Sequence, residues 1–281
     1  MKFILLNFLS IVLFTIQLSS QPLPAKKLPI AKNKIIVIAH RGDHTLAPEN
    51  SLLAIQNAIK DGADYVELDI RTTQDSQLVL MHDATVDRMT NGHGKIVEMK
   101  LDSIRNLKLF NKNNILSGTL SVPTFEEALA ICKNKINIYL DFKNADVKKV
   151  YEIVQAAHMQ DQMVVYINTP MQYVEWRKQV PSMPLILSLN AKVKDSIEMY
   201  KYLSSVNIDI LDGNWNEYTQ ETVRASLSKG IPVWADMQAA VEGEAYWNKG
   251  IELGLSGIQT DHPKELIQYL QKLSLAPKLK L

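Results

Sequence analysis

Short apolar, β-branched runs alternate along this chain with longer segments of helical spacing. Residues 35–39 (I-I-V-I-A) form a continuous apolar run, as expected of a strand covered on both faces. Residues 50–58 place Leu52, Leu53, Ile55 and Ala58 at helical spacing, and Asp61-Gly62 is a helix stop. The same alternation predicts further strands at 65–70, 136–143, 163–167, 185–189, 208–211, 231–235 and 257–260. Helices are predicted from the Thr124/Glu127 capping pattern onward and at 146–158, 171–179, 195–203, 219–229, 244–253 and 263–273. A short extra strand is read at 78–81. Residues 84–123 break the rhythm with T-N-G-H-G (90–94), a short helix at 101–107 and a polar N-K-N-N loop, and read as an insertion. T-N-G-H-G lacks the Lys-Ser/Thr of a phosphate loop and reads as a turn. Eight βα units over about 240 residues predict an α/β fold, a parallel (β/α)8 TIM barrel with a small insertion after the second strand region.

The first twenty residues follow a different pattern. Lys2 precedes an apolar run broken by Asn7, Ser10, Thr15 and Gln17, and small residues precede Gln21. This reads as a secretory signal peptide over 1–20, the alternative being a retained anchor. Residues 21–34 are then a Pro/Lys-rich linker, read as mobile, and 35–281 the folded domain. The compartment implied is secreted or periplasmic, with no stable membrane span after cleavage. The chain has 281 residues, 46% hydrophobic and 22% charged, which is enough for one large domain with a substantial core. Its formal net charge is +1, and loss of Lys2 would bring it to zero, so no basic stripe for nucleic acid is present. Cys132 is the only cysteine, excluding an intrachain disulfide, and its helical phase with Ala128, Leu129 and Ile131 marks it as a buried, inert thiol.

Polar residues interrupt the apolar runs where strands should end. His40 and Arg41 follow the first run, Glu67 and Asp69 sit two apart in the second, and His82 follows the short extra strand. Residues i and i+2 of a strand share a face, so Glu67 and Asp69 present two carboxylates to one point. Such a pair is costly without a cation between them. Asp141 and Lys143 repeat the spacing in L-D-F-K. Active sites of TIM barrels lie at the C-terminal strand ends, where these residues fall. The set has the parts of a metal-assisted phosphoryl-transfer site: Glu67, Asp69 and Asp141 for one divalent cation, Ca²⁺ or Mg²⁺, and Arg41 and Lys143 for phosphate. No H-E-x-x-H or cysteine cluster suggests zinc. Trp215 and Trp234, near the ends of the sixth and seventh barrel strands, are candidates to line a substrate groove. Glu49 and Asn50 read equally as helix caps or site contacts. His44, His93, His158 and His262 read as loop or surface residues, and Asp261 as the cap of the last helix.

H-R-G (40–42), P-E-N-S (48–51), E-L-D (67–69) and H-D (82–83), in this order and spacing, resemble the glycerophosphodiester phosphodiesterase family. Q-T-D-H-P (259–263) extends the resemblance, which spans roughly residues 35–270. It implies metal-dependent hydrolysis of a small glycerophosphodiester to glycerol 3-phosphate and an alcohol, with His40 and His82 as the acid–base pair. It further implies attack by the neighbouring glycerol hydroxyl and a cyclic phosphate that water opens. Two departures stand out. The family's third ligand is usually glutamate where this chain has Asp141, and its seventh strand typically ends W-T-V-N where this chain reads W-A-D-M, placing Asp236. The alternatives are a phospholipase-D-like phosphodiesterase or lyase acting on lipid, and a catalytically silent barrel that binds a phosphorylated ligand.

Overall fold

The computed structural model describes residues 28–111, 118–189 and 192–277. The signal-peptide reading, the linker up to residue 27 and most of the N-K-N-N loop lie outside them. In chain order the elements are β1 (Ile36–Ala39), α1 (Leu52–Asp61), β2 (Tyr65–Thr72), β3 (Leu78–Leu80), α2 (Leu101–Arg105), α3 (Phe125–Cys132), β4 (Asn137–Asn144), α4 (Val147–Ala156) and β5 (Met163–Ile167). They continue with α5 (Pro170–Gln179), β6 (Leu185–Ser188), α6 (Ser196–Ser205), β7 (Ile210–Asp212), α7 (Gln220–Ser228), β8 (Trp234–Asp236), α8 (Glu244–Leu253), β9 (Gly257–Thr260) and α9 (Pro263–Lys272).

Parallel pairing runs β7-β6-β5-β4-β2-β1-β9-β8, and β3 joins β2 as an antiparallel flap. The remaining seam, between β7 and β8, carries two isolated parallel bridges, Leu211–Val233 and Asn214–Asp236. The result is a nearly closed eight-stranded parallel barrel wrapped by helices, as the alternation predicts. The seam is thin because both flanking strands start late, at 210 and 234 rather than 208 and 231. Pro232 has no N–H to offer and serves only as acceptor, from Leu211 N at 3.0 Å.

Strand alternation sorts the core into two shells. Ile38, Tyr65, Tyr139, Val164, Ile186, Ile210 and Trp234 point inward, each from a different strand, and fill the barrel. Their neighbours in sequence, such as Val37, Val66, Ile138 and Val165, point outward and pack against the helices. Full burial of one such side chain contributes about 1.5–3 kcal/mol. Cys132 lies in the outer shell, buried as expected. The insertion has its own small core around Val79, Val86, Ile96 and Val122.

Part of the expected linker is ordered. Tyr65 Oη donates to the Pro29 carbonyl at 3.1 Å, Asn137 Nδ2 donates to that of Ile30, and the Asp64 carboxylate accepts from Lys32 N and Asn33 N. Residues 28–34 therefore close the N-terminal end of the barrel, because inward-facing polar groups at that end need partners. Among the described residues no helix is long and apolar enough to cross a membrane.

Candidate active site

Backbone register brings the acidic residues together. Asp69 of β2 pairs directly with Asp141 of β4, and Glu67 with Tyr139. The i, i+2 rule turns Tyr65, Glu67 and Asp69 inward on β2, rising from the floor to the mouth. It does the same for Tyr139, Asp141 and Lys143 on β4. One ligand oxygen from each of Glu67, Asp69 and Asp141 lies within 4.8 Å of the others.

Their surroundings are strongly polar. Burial first, and then the charges of Asp69 and Asp141, push the Glu67 carboxyl well above its ordinary range, against the pull of Arg41. Burial and Asp69 also raise Asp141, against the pull of Lys143 and Asn168. The Lys143 ammonium lies 3.1 Å from Asp69 Oδ1 and pairs with Asp141. Burial disfavours its charge, but the carboxylates outweigh this and raise it. Asp69 Oδ1 is buried and is met by the Lys143 ammonium alone among the described residues. Three convergent carboxylates fit the oxygen-donor preference of a hard divalent ion.

The H-R-G turn supplies the next wall. Arg41 takes a left-handed conformation (φ 53°), and its N–H donates to Glu67 Oε2 at 2.8 Å. Gly42 is also left-handed, and a Cβ there would sit 2.7 Å from Ala54 of α1. Ser51, not Glu49 or Asn50, caps α1. Asn50 instead holds Asp69, donating to Oδ2 at 2.8 Å and accepting from its backbone N–H. Glu49 accepts from Arg41 at 2.9 Å and from Arg88 at 2.7 Å.

Each histidine of the expected pair has a carboxylate behind it. His40 Nδ1 lies 2.6 Å from Asp261 Oδ1, and His82 Nδ1 lies 2.7 Å from Asp83 Oδ1. Because a carboxylate accepts, Nδ1 donates in both contacts, leaving Nε2 for proton exchange. Burial opposes charge on Asp261, but hydrogen bonds from His40 and His44 hold it well below the usual carboxylate range. Arg88, which binds Asp83 at 2.7 Å, and then His82 do the same for Asp83.

A polar cavity of about 210 Å³ at the C-terminal barrel end joins His40, Arg41, Glu67, Asp69, His82, Asp141 and Lys143. The two tryptophans lie outside its lining. Trp234 is fully buried in the barrel interior, its ring 4.9 Å from that of Tyr65, because its strand position points inward below the mouth. Trp215 donates through Nε1 to Tyr246 Oη at 2.7 Å. Asp261 does not cap α9, whose first residue follows His262. His44 lies in the loop after β1, as expected, and its Nε2 is 3.1 Å from Asp261 Oδ1. Arg88, Asn168 and Asp212 were not singled out by the sequence, and Asp83 stood there only as part of H-D (82–83), with no role assigned.

The sequence pattern of the glycerophosphoryl diester phosphodiesterase family matches residues 40–265. A glycerophosphodiester phosphodiesterase of Caldanaerobacter subterraneus is 26% identical over 246 residues, covering 85% of this chain and 99% of the relative. Human glycerophosphodiester phosphodiesterase 1 is 38% identical over 148 residues, 50% of this chain and 44% of the human protein. In fold, the chain is similar to an Oleispira antarctica phosphodiesterase solved in complex with the product sn-glycerol-3-phosphate. The TM-score is 0.74 at 21% identity, over 84% of this chain and 96% of that one. A glycerophosphodiester phosphodiesterase of Agrobacterium tumefaciens gives 0.72 at 23% identity, over 82% and 98%.

Proposed function

This chain belongs to the glycerophosphoryl diester phosphodiesterase family, and from that premise we propose that it hydrolyses small glycerophosphodiesters to glycerol 3-phosphate and an alcohol, with a bound divalent ion and His40 and His82 as the acid–base pair. The observation that carries this reading is the convergence of Glu67, Asp69 and Asp141 in the same cavity as both histidines, Arg41 and Lys143. The three carboxylates would hold one ion, Ca²⁺ or Mg²⁺. When bound, that ion supplies Lewis-acid polarisation of the phosphoryl oxygens. Arg41 and Lys143 neutralise phosphoryl charge and orient the diester.

The chain's own groups then move the protons. One imidazole removes the proton from the attacking glycerol hydroxyl as its oxygen bonds to phosphorus, and the other protonates the departing alcohol as its P–O bond breaks. The resulting cyclic phosphate is opened by water with the two roles reversed. Asp261 and Asp83 hold each ring in the tautomer that leaves Nε2 free. The signal-peptide reading of residues 1–20 supports a secreted or periplasmic enzyme, which N-terminal sequencing of the mature protein checks.

A second reading, action on lipid, draws on one specific observation. Leu46, Met171, Ile197 and Val241 are large, apolar and 68–87% exposed. They fall in the loops and first helical turns that follow β1, β5, β6 and β8, on the face that carries the cavity. Turnover of a lysophospholipid in vesicles exceeding that of any water-soluble diester would establish this reading. The primary test is to strip the protein of metal, add back Ca²⁺, Mg²⁺ or Mn²⁺ with a panel of glycerophosphodiesters, and measure glycerol 3-phosphate. Release with one of the added ions is expected; silence under all of them overturns the hydrolase reading.

A further inference from the structure

Asp261 receives a second imidazole that the chemistry above does not use. His40 Nδ1 lies 2.6 Å from Asp261 Oδ1, and His44 Nε2 lies 3.1 Å from the same oxygen. The two rings stand edge-on, with centroids 6.2 Å apart and planes at 71°, so they reach the carboxylate from different directions. The loop after β1 builds this arrangement. Left-handed backbone at Arg41 and Gly42 reverses the chain directly after His40. Gly42 N–H then donates to the Ala39 carbonyl, and Asp43 N–H to that of Ala54 in α1. Asp43 Oδ1 accepts from Thr45 N–H at 3.0 Å and from Thr45 Oγ1 at 2.7 Å. The backbone on both sides of His44 is therefore held in place, and its side chain, 17% exposed, is aimed at Asp261.

The Asp261 side chain is 32% exposed and follows β9 into the turn before α9, so it has room to swing toward water. Its backbone N–H donates to Glu242 Oε1 at 3.1 Å, which fixes the peptide but not the torsion that points the carboxyl group. Among the described residues, the two imidazoles are the side-chain donors that meet this carboxylate. His40 depends on that torsion, because its Nε2 is free for proton exchange only while Nδ1 donates to Asp261. His44 does not line the cavity, so it has no route to the substrate except through Asp261. Resting on the hydrolase reading, we propose that His44 is a positioning residue: its N–H clamps the Asp261 carboxylate against His40 and so keeps the His40 ring in the orientation and tautomer that proton transfer uses.

The experiment measures kcat and KM on glycerophosphoethanolamine for the metal-loaded wild type, His44→Phe and His44→Gln, with melting curves to establish folding. Phenylalanine keeps a ring without a donor, and glutamine returns an N–H close to the position of Nε2. His44→Phe should lower kcat by about tenfold with little change in KM, and His44→Gln should recover most of that loss. In an Asp261→Asn background His44→Phe should cost nothing further, because the clamp has lost the group it acts on. A second readout needs no turnover: side-chain ¹⁵N spectra should show His40 with its proton on Nδ1 in the wild type and in His44→Gln, and a mixture of tautomers in His44→Phe. If His44→Phe does not melt cooperatively, His44→Ala takes its place throughout. A folded donor-free variant with wild-type kcat overturns the proposal. So does a loss that glutamine does not recover, a loss equally large in the Asp261→Asn background, or an unchanged His40 spectrum. Because the tautomer is read without substrate, failure of the clamp is distinguishable from failure of the hydrolase reading.

Discussion

The two acidic walls of the cavity look alike in composition and differ in construction. On the first, Glu67 and Asp69 come from one strand and Asp141 is the register partner of Asp69 on the next. Each carboxylate there is held by a neighbour: Arg41 N–H on Glu67, Asn50 on Asp69, Asn168 and Lys143 on Asp141. On the second, Asp212 and Asp236 come singly from strands joined by two isolated bridges, and one oxygen of Asp212 is unmatched. A wall with its own cations and amides is preorganised for a small, hard ion. The second wall has neutral donors only, Tyr139 on Asp212 and Gln259 on Asp236, and burial raises both carboxyl groups toward the protonated form.

Substitutions can break this comparison at several scales. The largest effect should come from the histidine between the walls: His40→Ala should lower kcat by about 10²–10⁴ with the fold retained. A folded variant with near-normal turnover would remove His40 from the mechanism. Next, a divalent ion at about 100 times its dissociation constant should stabilise the wild-type fold by about 2.7 kcal/mol. That gain should vanish in Asp69→Asn and persist in Asp236→Asn. A loss in both variants would mean that the two walls hold the ion together as one site.

A smaller effect is expected of Asp261→Asn, which leaves His40 without its charged partner. About 10–100-fold in kcat should be lost with little change in KM, and the pH–rate profile should shift. An unchanged profile would reduce Asp261 to a structural role. The smallest effect comes from a carboxylate pair outside both walls. Burial and the adjacent Asp43 push Asp61 up to about 7. The folded state therefore keeps a proton that the unfolded chain releases near pH 4, so this group costs stability increasingly as pH rises from about 4 to 7. Asp61→Asn should raise the melting temperature by a few degrees (about 2–4 °C) at pH 8 and by much less at pH 5. A gain independent of pH would show that the pair does not share its proton in this way.

Legibility followed the same division. The barrel could be read because each βα unit announces itself locally, in an apolar run, a cap and a stop. Gly62 and the Thr124–Glu127 box stand where the pattern placed helix ends, whereas the cap of α1 fell on Ser51 rather than on Glu49 or Asn50. The first wall could be read because an i, i+2 pair in a strand is a local statement about direction. Trp234 misled because proximity to a strand end does not say which side of the mouth a ring falls on; its inward position put it in the core. Asp261 misled because Asp before a helical proline usually caps, whereas here the carboxylate turns to two imidazoles more than two hundred residues earlier in the chain.

The sequence alone determined the number and order of strands, the direction of Glu67, Asp69, Asp141 and Lys143, and the family to which the chain belongs. Each of these depends on short-range geometry, the two-residue period of a strand and the spacing of motifs. Tertiary structure alone decided that Asp261 stands behind His40, that Asp83 and Arg88 tie the insertion to the mouth, and that Asp212 meets Asp236. Those contacts exist only once the ring closes. Closure depends on the register and twist of all eight strands together, so no single segment carries it.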